Sequence, residues 1–234
     1  MRIILTRSAS QAGGLEEGLR EAGFELAHLP LTRQVLPQET TEITAALSAL
    51  GSGAFSWILL TSGNTVRFLR QAGWDSTVPP QTHIGVVGPG TARVLAEVTG
   101  LRPTWMPQDH SAAGILAELP APAAGQRLLL PQSARAEPTL AHRLRQQGWE
   151  VTRVSVYDTV DLAHPDTSLL RAGDVVLITS SSAAEVWARL QPPEVTVLAI
   201  GEPTADTLSR RGHPATAVLP EPTAAGVLAA LRGD

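Results

Sequence analysis

Short apolar, β-branched runs alternate along the whole chain with stretches whose apolar positions recur three and four residues apart. The runs predict strands at residues 2–6, 24–29, 57–60, 84–87, 127–130, 150–157, 174–178, 196–200 and 215–219. Between most of them lie ten to fifteen residues with helical spacing, as at Leu15, Leu19 and Ala22, or Val66, Leu69 and Ala72, and less cleanly at Leu140, Leu144 and Gln147. Gly23, Gly73, Gly100, Gly148 and Gly212 stand where left-handed helix caps are expected. Alternating β and α units predict an α/β fold, with parallel sheets flanked by helices on both faces. Aromatic residues are few in any unit, so aliphatic packing is expected to carry the cores.

The pattern also repeats. Trp57-Ile58-Leu59-Leu60-Thr61-Ser62 matches Val175-Val176-Leu177-Ile178-Thr179-Ser180, and Val86-Val87-Gly88-Pro89-Gly90-Thr91-Ala92 matches Ala199-Ile200-Gly201-Glu202-Pro203-Thr204-Ala205. Pro107 and the Ala112-Ala113-Gly114 run match Pro220 and Ala224-Ala225-Gly226. A further pair covers residues 3–27 and 128–152. Their shared order indicates two duplicated α/β units. Periodicity leaves the boundary open. The Pro/Ala segment at 120–125 reads as a loop or a tandem linker, and the segments around 29–37 and 154–162 read as extended crossings.

Composition narrows the chemistry. Of 234 residues, 43% are hydrophobic and 17% charged, enough apolar material for packed cores. The formal net charge of −4 gives no footprint for nucleic acid or an anionic membrane. All 18 basic residues are Arg, which excludes a Schiff-base or P-loop lysine. With no Cys, thiolate catalysis, disulfides and Cys-ligated zinc are excluded. The six His form no metal-ligand spacing, so no metal is expected. The chain lacks a membrane-length apolar run and a signal-peptide pattern, and a cytoplasmic monomer is the expectation.

Candidate chemistry gathers at the strand-to-helix turns. Ser62-Gly63-Asn64 and Ser180-Ser181-Ser182 each follow a strand and open a helix. Such turns either simply cap the helix or also offer free amides to an anion. Gly88-Pro89-Gly90-Thr91 and Gly201-Glu202-Pro203-Thr204 read as tight turns with Pro at the helix start, and Thr91 and Thr204 as hydroxyl donors. The stretch from Gly85 to Gly90 does not fit a dinucleotide fingerprint. Arg7 and Arg135 follow strands, where a guanidinium either grips a carboxylate or is solvated, and repeat equivalence sets Ser133 opposite Ser8. Tyr157, the one tyrosine, is placed at a strand end as a proton donor or a packing aromatic. Asp109-His110-Ser111 is adjacent in sequence, which alone builds no triad.

Taken in order, Leu5-Thr6-Arg7, Leu60-Thr61-Ser62-Gly63-Asn64-Thr65-Val66, Val87-Gly88-Pro89-Gly90-Thr91-Ala92, Leu129-Leu130-Pro131, Val156-Tyr157-Asp158-Thr159, Ile178-Thr179-Ser180, Ile200-Gly201-Glu202-Pro203-Thr204-Ala205 and Pro222-Thr223-Ala224 resemble the uroporphyrinogen-III synthase family over almost the whole chain. Ser8 stands where relatives often have Pro, and Gln132 where a basic residue is common. The resemblance implies two similar lobes joined by a two-stranded linker, with an inter-lobe cleft for substrate. Residues 1–33 with 162–234 form one lobe, 38–155 the other, and 34–37 and 156–161 the linkers. It implies cofactor-independent cyclodehydration of hydroxymethylbilane to uroporphyrinogen III with inversion of ring D, in haem biosynthesis. Tyr157 is then the proton donor, and Arg7, Ser62, Gly63, Thr91, Arg135, Ser180, Ser181 and Thr204 hold substrate carboxylates. Transient handover from hydroxymethylbilane synthase fits a reactive substrate. The end of the chain directly after a helical pattern suggests no fused module. A non-catalytic two-lobed anion binder would carry the same repeat, and a glycosyltransferase would need a nucleotide site that the Gly-rich stretch does not supply.

Overall fold

The computed structural model describes residues 1–9 and 13–232. Residue contacts divide the chain into unit 1, residues 1–33 with 159–234, and unit 2, residues 34–158.

In unit 1, β1 (Arg2–Leu5) leads through α1 (Gly14–Glu21) to β2 (Glu25–His28). The chain returns to this unit as β8 (Val175–Ile178), α7 (Ser181–Trp187), β9 (Thr196–Ala199), α8 (Glu202–Arg210), β10 (Ala217–Val218) and α9 (Ala224–Arg232). The sheet order is β10-β9-β8-β1-β2, parallel throughout. In unit 2, α2 (Thr41–Gly51) precedes β4 (Trp57–Leu60), α3 (Gly63–Gln71), β5 (His83–Val86), α4 (Pro89–Thr99), α5 (Ala112–Glu118), β6 (Arg127–Ser133), α6 (Thr139–Gln146) and β7 (Glu150–Asp161). With β3 (Thr32–Val35) on the edge, the order is β3-β7-β6-β4-β5. The run β9-β8-β1-β2 corresponds strand for strand to β5-β4-β6-β7, so the repeat seen in the sequence is a repeat of topology.

Both faces of each sheet are covered, which is why the central strands read as continuous apolar runs. Strand side chains alternate. Ile58 and Leu60 of β4 therefore enter one core with α2, α3 and α4, while Trp57 and Leu59 enter another with α5 and α6. In unit 1, Val176 and Ile178 pack with α7 and α8, and Val175 and Leu177 with α1 and α9. The five helix-ending glycines foreseen in the sequence all have left-handed φ, between +74° and +100°.

One helix is new and two expectations change. Residues 41–51, which drew no helical reading, form α2. β7 runs through Tyr157 to Asp161, so Tyr157 is not at a strand end. Aliphatic packing does not carry unit 2 alone: Trp57 stacks on His83 at 4.7 Å and meets Trp105 and Trp149 edge-on at 5.9 and 6.1 Å. These aromatics lie far apart in sequence, and only the sheet brings them together.

The repeated Ala-Ala-Gly runs have a steric cause. Ser111 caps α5 by accepting from the Gly114 amide at 3.1 Å, and the Thr223 hydroxyl does the same for Gly226 at 3.1 Å. This tight turn brings the Asp109 carbonyl oxygen to 1.9 Å from where a Cβ on Gly114 would stand, and the Glu221 oxygen to 2.1 Å at Gly226. Only glycine fits at either position.

At the amino end of unit 1, Arg2 donates Nε and Nη2 to the two Asp174 carboxylate oxygens at 3.0 and 2.6 Å, and Nη2 also to the Leu169 carbonyl at 2.6 Å. Hydrogen bonds from Arg2 hold the Asp174 carboxyl below its ordinary range against the opposing effect of burial. The Arg171 amide adds a further bond at 2.8 Å. This pair ties β1 to the start of β8 across most of the sequence.

Gly114→Ala is expected to cost about 1–3 kcal/mol in urea unfolding. Gly51→Ala, with open space at its Cβ, is the neutral control. Asp174→Asn is expected to cost about 3 kcal/mol at neutral pH. Because the folded-state pKa is depressed, the wild-type advantage is complete above the ordinary aspartate value of 3.8. It is lost as pH falls through the lower folded value, so unfolding curves of the two proteins should converge in acid.

Candidate functional site

In a doubly wound sheet the carboxyl ends of the strands are left uncovered where successive connections run to opposite sides. In unit 2 that reversal lies between β4 and β6. β4 continues through α3 to β5 on one side, and β6 through α6 to β7 on the other. In unit 1 it lies between β8 and β1 by the same logic.

Tyr157 belongs to the unit 2 reversal because of a bulge. Gln132 of β6 pairs with Ser155 of β7, but Ser133 pairs with Tyr157. Val156 and Tyr157 thus oppose one residue, and the irregularity re-aims the tyrosine. Val154, Val156 and Tyr157 all join one core, although strict alternation would send Tyr157 to the other face. Its ring stacks on Phe68 of α3 at 5.1 Å and is 8% exposed. The hydroxyls of Ser62 and Ser133 are the polar neighbours of the phenol. Burial pushes its pKa up, and the two serines partly offset this. Each serine oxygen already accepts a backbone amide, from Asn64 at 3.1 Å and from Arg135 at 3.2 Å. Each hydroxyl hydrogen is therefore the atom available to the phenol oxygen.

The other sequence candidates of unit 2 fall around the same strand ends. Ser62 is the N-cap of α3. Gly63 begins α3 where a Cβ would stand 2.9 Å from Val94 Cγ2, so its glycine is required for helix packing. Thr91 lies in the first turn of α4 behind Pro89 and is buried. Arg135 pairs with Asp158 at 3.4 Å. A buried hydroxyl, Thr65 Oγ1, lies one turn behind Ser62 and is the one buried side-chain polar atom without a partner among the described residues.

In unit 1, Ser180 caps α7 through the Ala183 amide at 3.1 Å, and the Ser181 hydroxyl donates to the Pro203 carbonyl at 3.0 Å. Thr204 lies in the first turn of α8 and is buried. Arg7 is not left open. Its Nε and Nη2 donate to the two oxygens of Glu16 at 2.8 and 2.6 Å. Glu16 is fully buried in the first turn of α1. Burial raises its pKa, but the Arg7 and Gly13 hydrogen bonds outweigh this and hold it low. The guanidinium that sequence assigned to an outside carboxylate is thus bound to an internal one.

Sequence reasoning missed Arg153 and Arg143. Arg153 donates Nε to Gln132 Oε1 at 3.2 Å and Nη2 to the Ala136 carbonyl at 2.7 Å, so the positive charge beside the Gln132 turn comes from the neighbouring strand. Only strand pairing reveals this. Asp109-His110-Ser111 is no triad: Ser111 caps α5, and His110 lies against Gly88. A concavity of about 670 Å³ opens on the α5–α6 side of unit 2, lined by Thr61, Gln132, His110 and Arg143 among others. Among the described residues no group of His, Asp and Glu is placed to hold a metal ion, and no helix is long and apolar enough to cross a membrane.

A family model described as uroporphyrinogen-III synthase HemD matches residues 14–229. Over 223 residues the chain is 28% identical to the chloroplastic uroporphyrinogen-III synthase of Oryza sativa subsp. japonica, covering 90% of this chain and 72% of that protein. Over 194 residues it is 31% identical to uroporphyrinogen-III synthase of Synechococcus elongatus, covering 79% and 71%. Among solved structures, uroporphyrinogen-III synthetase from Helicobacter pylori 26695 superposes with a TM-score of 0.67 at 18% identity, over 100% of this chain and 99% of that one. A mutant of the Thermus thermophilus uroporphyrinogen III synthase gives 0.57 at 21% identity, over 100% and 99%. At these identities the structural likeness is one of fold. The match over residues 14–229 places the chain in the uroporphyrinogen-III synthase family.

Proposed function

We propose that this chain converts hydroxymethylbilane to uroporphyrinogen III, with Tyr157 as the proton donor to the departing hydroxyl. The observation that carries the role of Tyr157 is its placement by the bulge opposite Ser133, its ring on Phe68 and its hydroxyl neighboured by those of Ser62 and Ser133 at the carboxyl ends of β4 and β6.

The substrate is a linear tetrapyrrole with four acetates and four propionates. Its terminal hydroxymethyl carbon loses hydroxide, pushed out by the electron-rich pyrrole. The Tyr157 proton makes the leaving group water, and an azafulvenium cation remains. The last ring attacks that cation through its substituted carbon, giving a spiro intermediate. The other bond of the spiro carbon, to the methylene bridge of the third ring, then breaks, and the freed cationic bridge is captured, with the ring now inverted, by the last ring's free α-carbon. The proton lost from that carbon balances the one that Tyr157 gave. The net change is loss of one water.

The two serine hydroxyls beside the phenol favour its ionised form and so stabilise the negative charge that grows there as the proton leaves. They also leave the phenol's own hydrogen for the substrate. Burial keeps the phenol protonated through the neutral range. The substrate is already reactive and closes without help to the un-inverted isomer, so proton donation assists and geometry decides. Each 1.4 kcal/mol of preference is about tenfold in product ratio, and roughly 3–4 kcal/mol of selective positioning gives nearly one isomer. In unit 2, substrate carboxylates are held by the turn amides and hydroxyls at Ser62-Gly63 and Thr91, with Arg135 as the cation; Ser180-Ser181, Thr204 and Arg7 are the corresponding candidates of unit 1. Arg7 takes part once Glu16 shares its guanidinium.

Tyr157→Phe is expected to fold normally and to lower isomer-III turnover by well over half, about tenfold, in an assay that oxidises the products and resolves isomers III and I. Ser133→Ala should give a smaller loss in the same direction. Unaltered turnover in Tyr157→Phe would remove the phenol from the mechanism. Since Tyr157 is the single tyrosine, an ultraviolet titration reads it directly: tyrosinate should stay absent until the pH passes the ordinary value of 10.0.

A further inference from the structure

The concavity of about 670 Å³ on unit 2 has a size typical of a small-molecule site. It flanks the same two strand ends as the tyrosine. Thr61 and Gln132 line it, while the next residues, Ser62 and Ser133, hold the phenol on the other side. Its walls differ in chemistry. Val87, Ile115, Leu116 and Leu140 supply an apolar surface continuous with the α5–α6 core. Arg143, on the exposed side of α6, reaches the same space, and no carboxylate lies within ion-pair distance of it among the described residues. Glu137 lines the space as well, and no ion pair joins it to Arg143. α6 begins on this wall with no side-chain cap on its first amides. Gln132 gives its oxygen to Arg153, which leaves its amide hydrogens as donors here. His110 lines the same space and lies against Gly88, where an added Cβ would stand 3.1 Å from the His110 Cβ.

We propose that this concavity is a binding subsite for one carboxylate-bearing pyrrole ring of the substrate, its ring against Ile115, Leu116 and Leu140 and its carboxylate on Arg143. The inference rests on the synthase reading for the identity of the ring. The occupant is set by complementarity: a flat apolar ring matches the aliphatic wall, and an anion matches an unpaired guanidinium able to make two parallel hydrogen bonds. A ring seated here lies one residue along each strand from the serines of Tyr157. The subsite thereby anchors the substrate beside the proton donor without touching the reacting atoms, which makes Arg143 a positioning residue.

Two measurements on the intact chain test it. Porphobilinogen, a monopyrrole with one acetate and one propionate, should shift the amide resonances of Thr61, Ile115, Leu116 and Thr139. Ala113→Trp, an exposed lining position, should abolish the shifts. In steady-state kinetics with freshly made hydroxymethylbilane, Arg143→Gln should raise KM about tenfold with kcat near wild type. Arg143→Lys should recover part of the loss. Arg145→Gln should behave as wild type, since Arg145 instead bonds the Val151 carbonyl. Isomer-III production with no porphobilinogen shifts at those amides, or with an unchanged KM in Arg143→Gln, overturns the subsite and leaves the synthase reading standing. Porphobilinogen shifts at those amides in a chain that makes no isomer III support the subsite and overturn the synthase reading.

Discussion

Burying both faces of a parallel sheet leaves its strand ends as the surface on which chemistry can be built, and a reversal of strand order keeps helices from closing over them. In unit 2 the reversal between β4 and β6 sets Thr61-Ser62 beside Gln132-Ser133. Alternation along each strand then sends one residue of each pair to the α5–α6 side and the next to the α3 side. A pocket and a phenol on opposite faces thus share one pair of strand ends.

The bulge in β7 completes this arrangement. A regular ladder would pair Ser133 with Val156 and turn Tyr157 to the other face of the sheet. One extra residue places the ring on Phe68 and the hydroxyl between two serines whose own oxygens are fixed by backbone amides. Burial raises the phenol pKa and the two serines partly offset this, so the proton is kept through the neutral range. In the mechanism proposed above, a substrate that already reacts unaided needs little more than such a donor and a firm hold on shape.

Unit 1 shows how duplicated scaffolds diverge at their ends. Its cap serine and first-turn threonine match those of unit 2, and its Gly226 meets the same close carbonyl as Gly114. Yet Arg7 is bound to buried Glu16, and no tyrosine stands in β2. The shared part of the repeat is backbone geometry, helix starts and tight turns. The side chains that distinguish the units lie on the strands beside them.

By itself the sequence determined the strands, the helix caps, the duplication and the family resemblance, because each rests on local spacing: alternation, a serine before a helix, a glycine after one. It singled out Ser62 and Tyr157 by those same signals. It carried no sign of the bulge, which depends on how two strands pair, nor of the Trp57, Trp105 and Trp149 cluster. It likewise hid Arg143 among other helix-face arginines and left Arg7 looking open. Which cation is already neutralised, and which faces an apolar wall alone, is settled by residues distant in the chain that come together only when the sheets form.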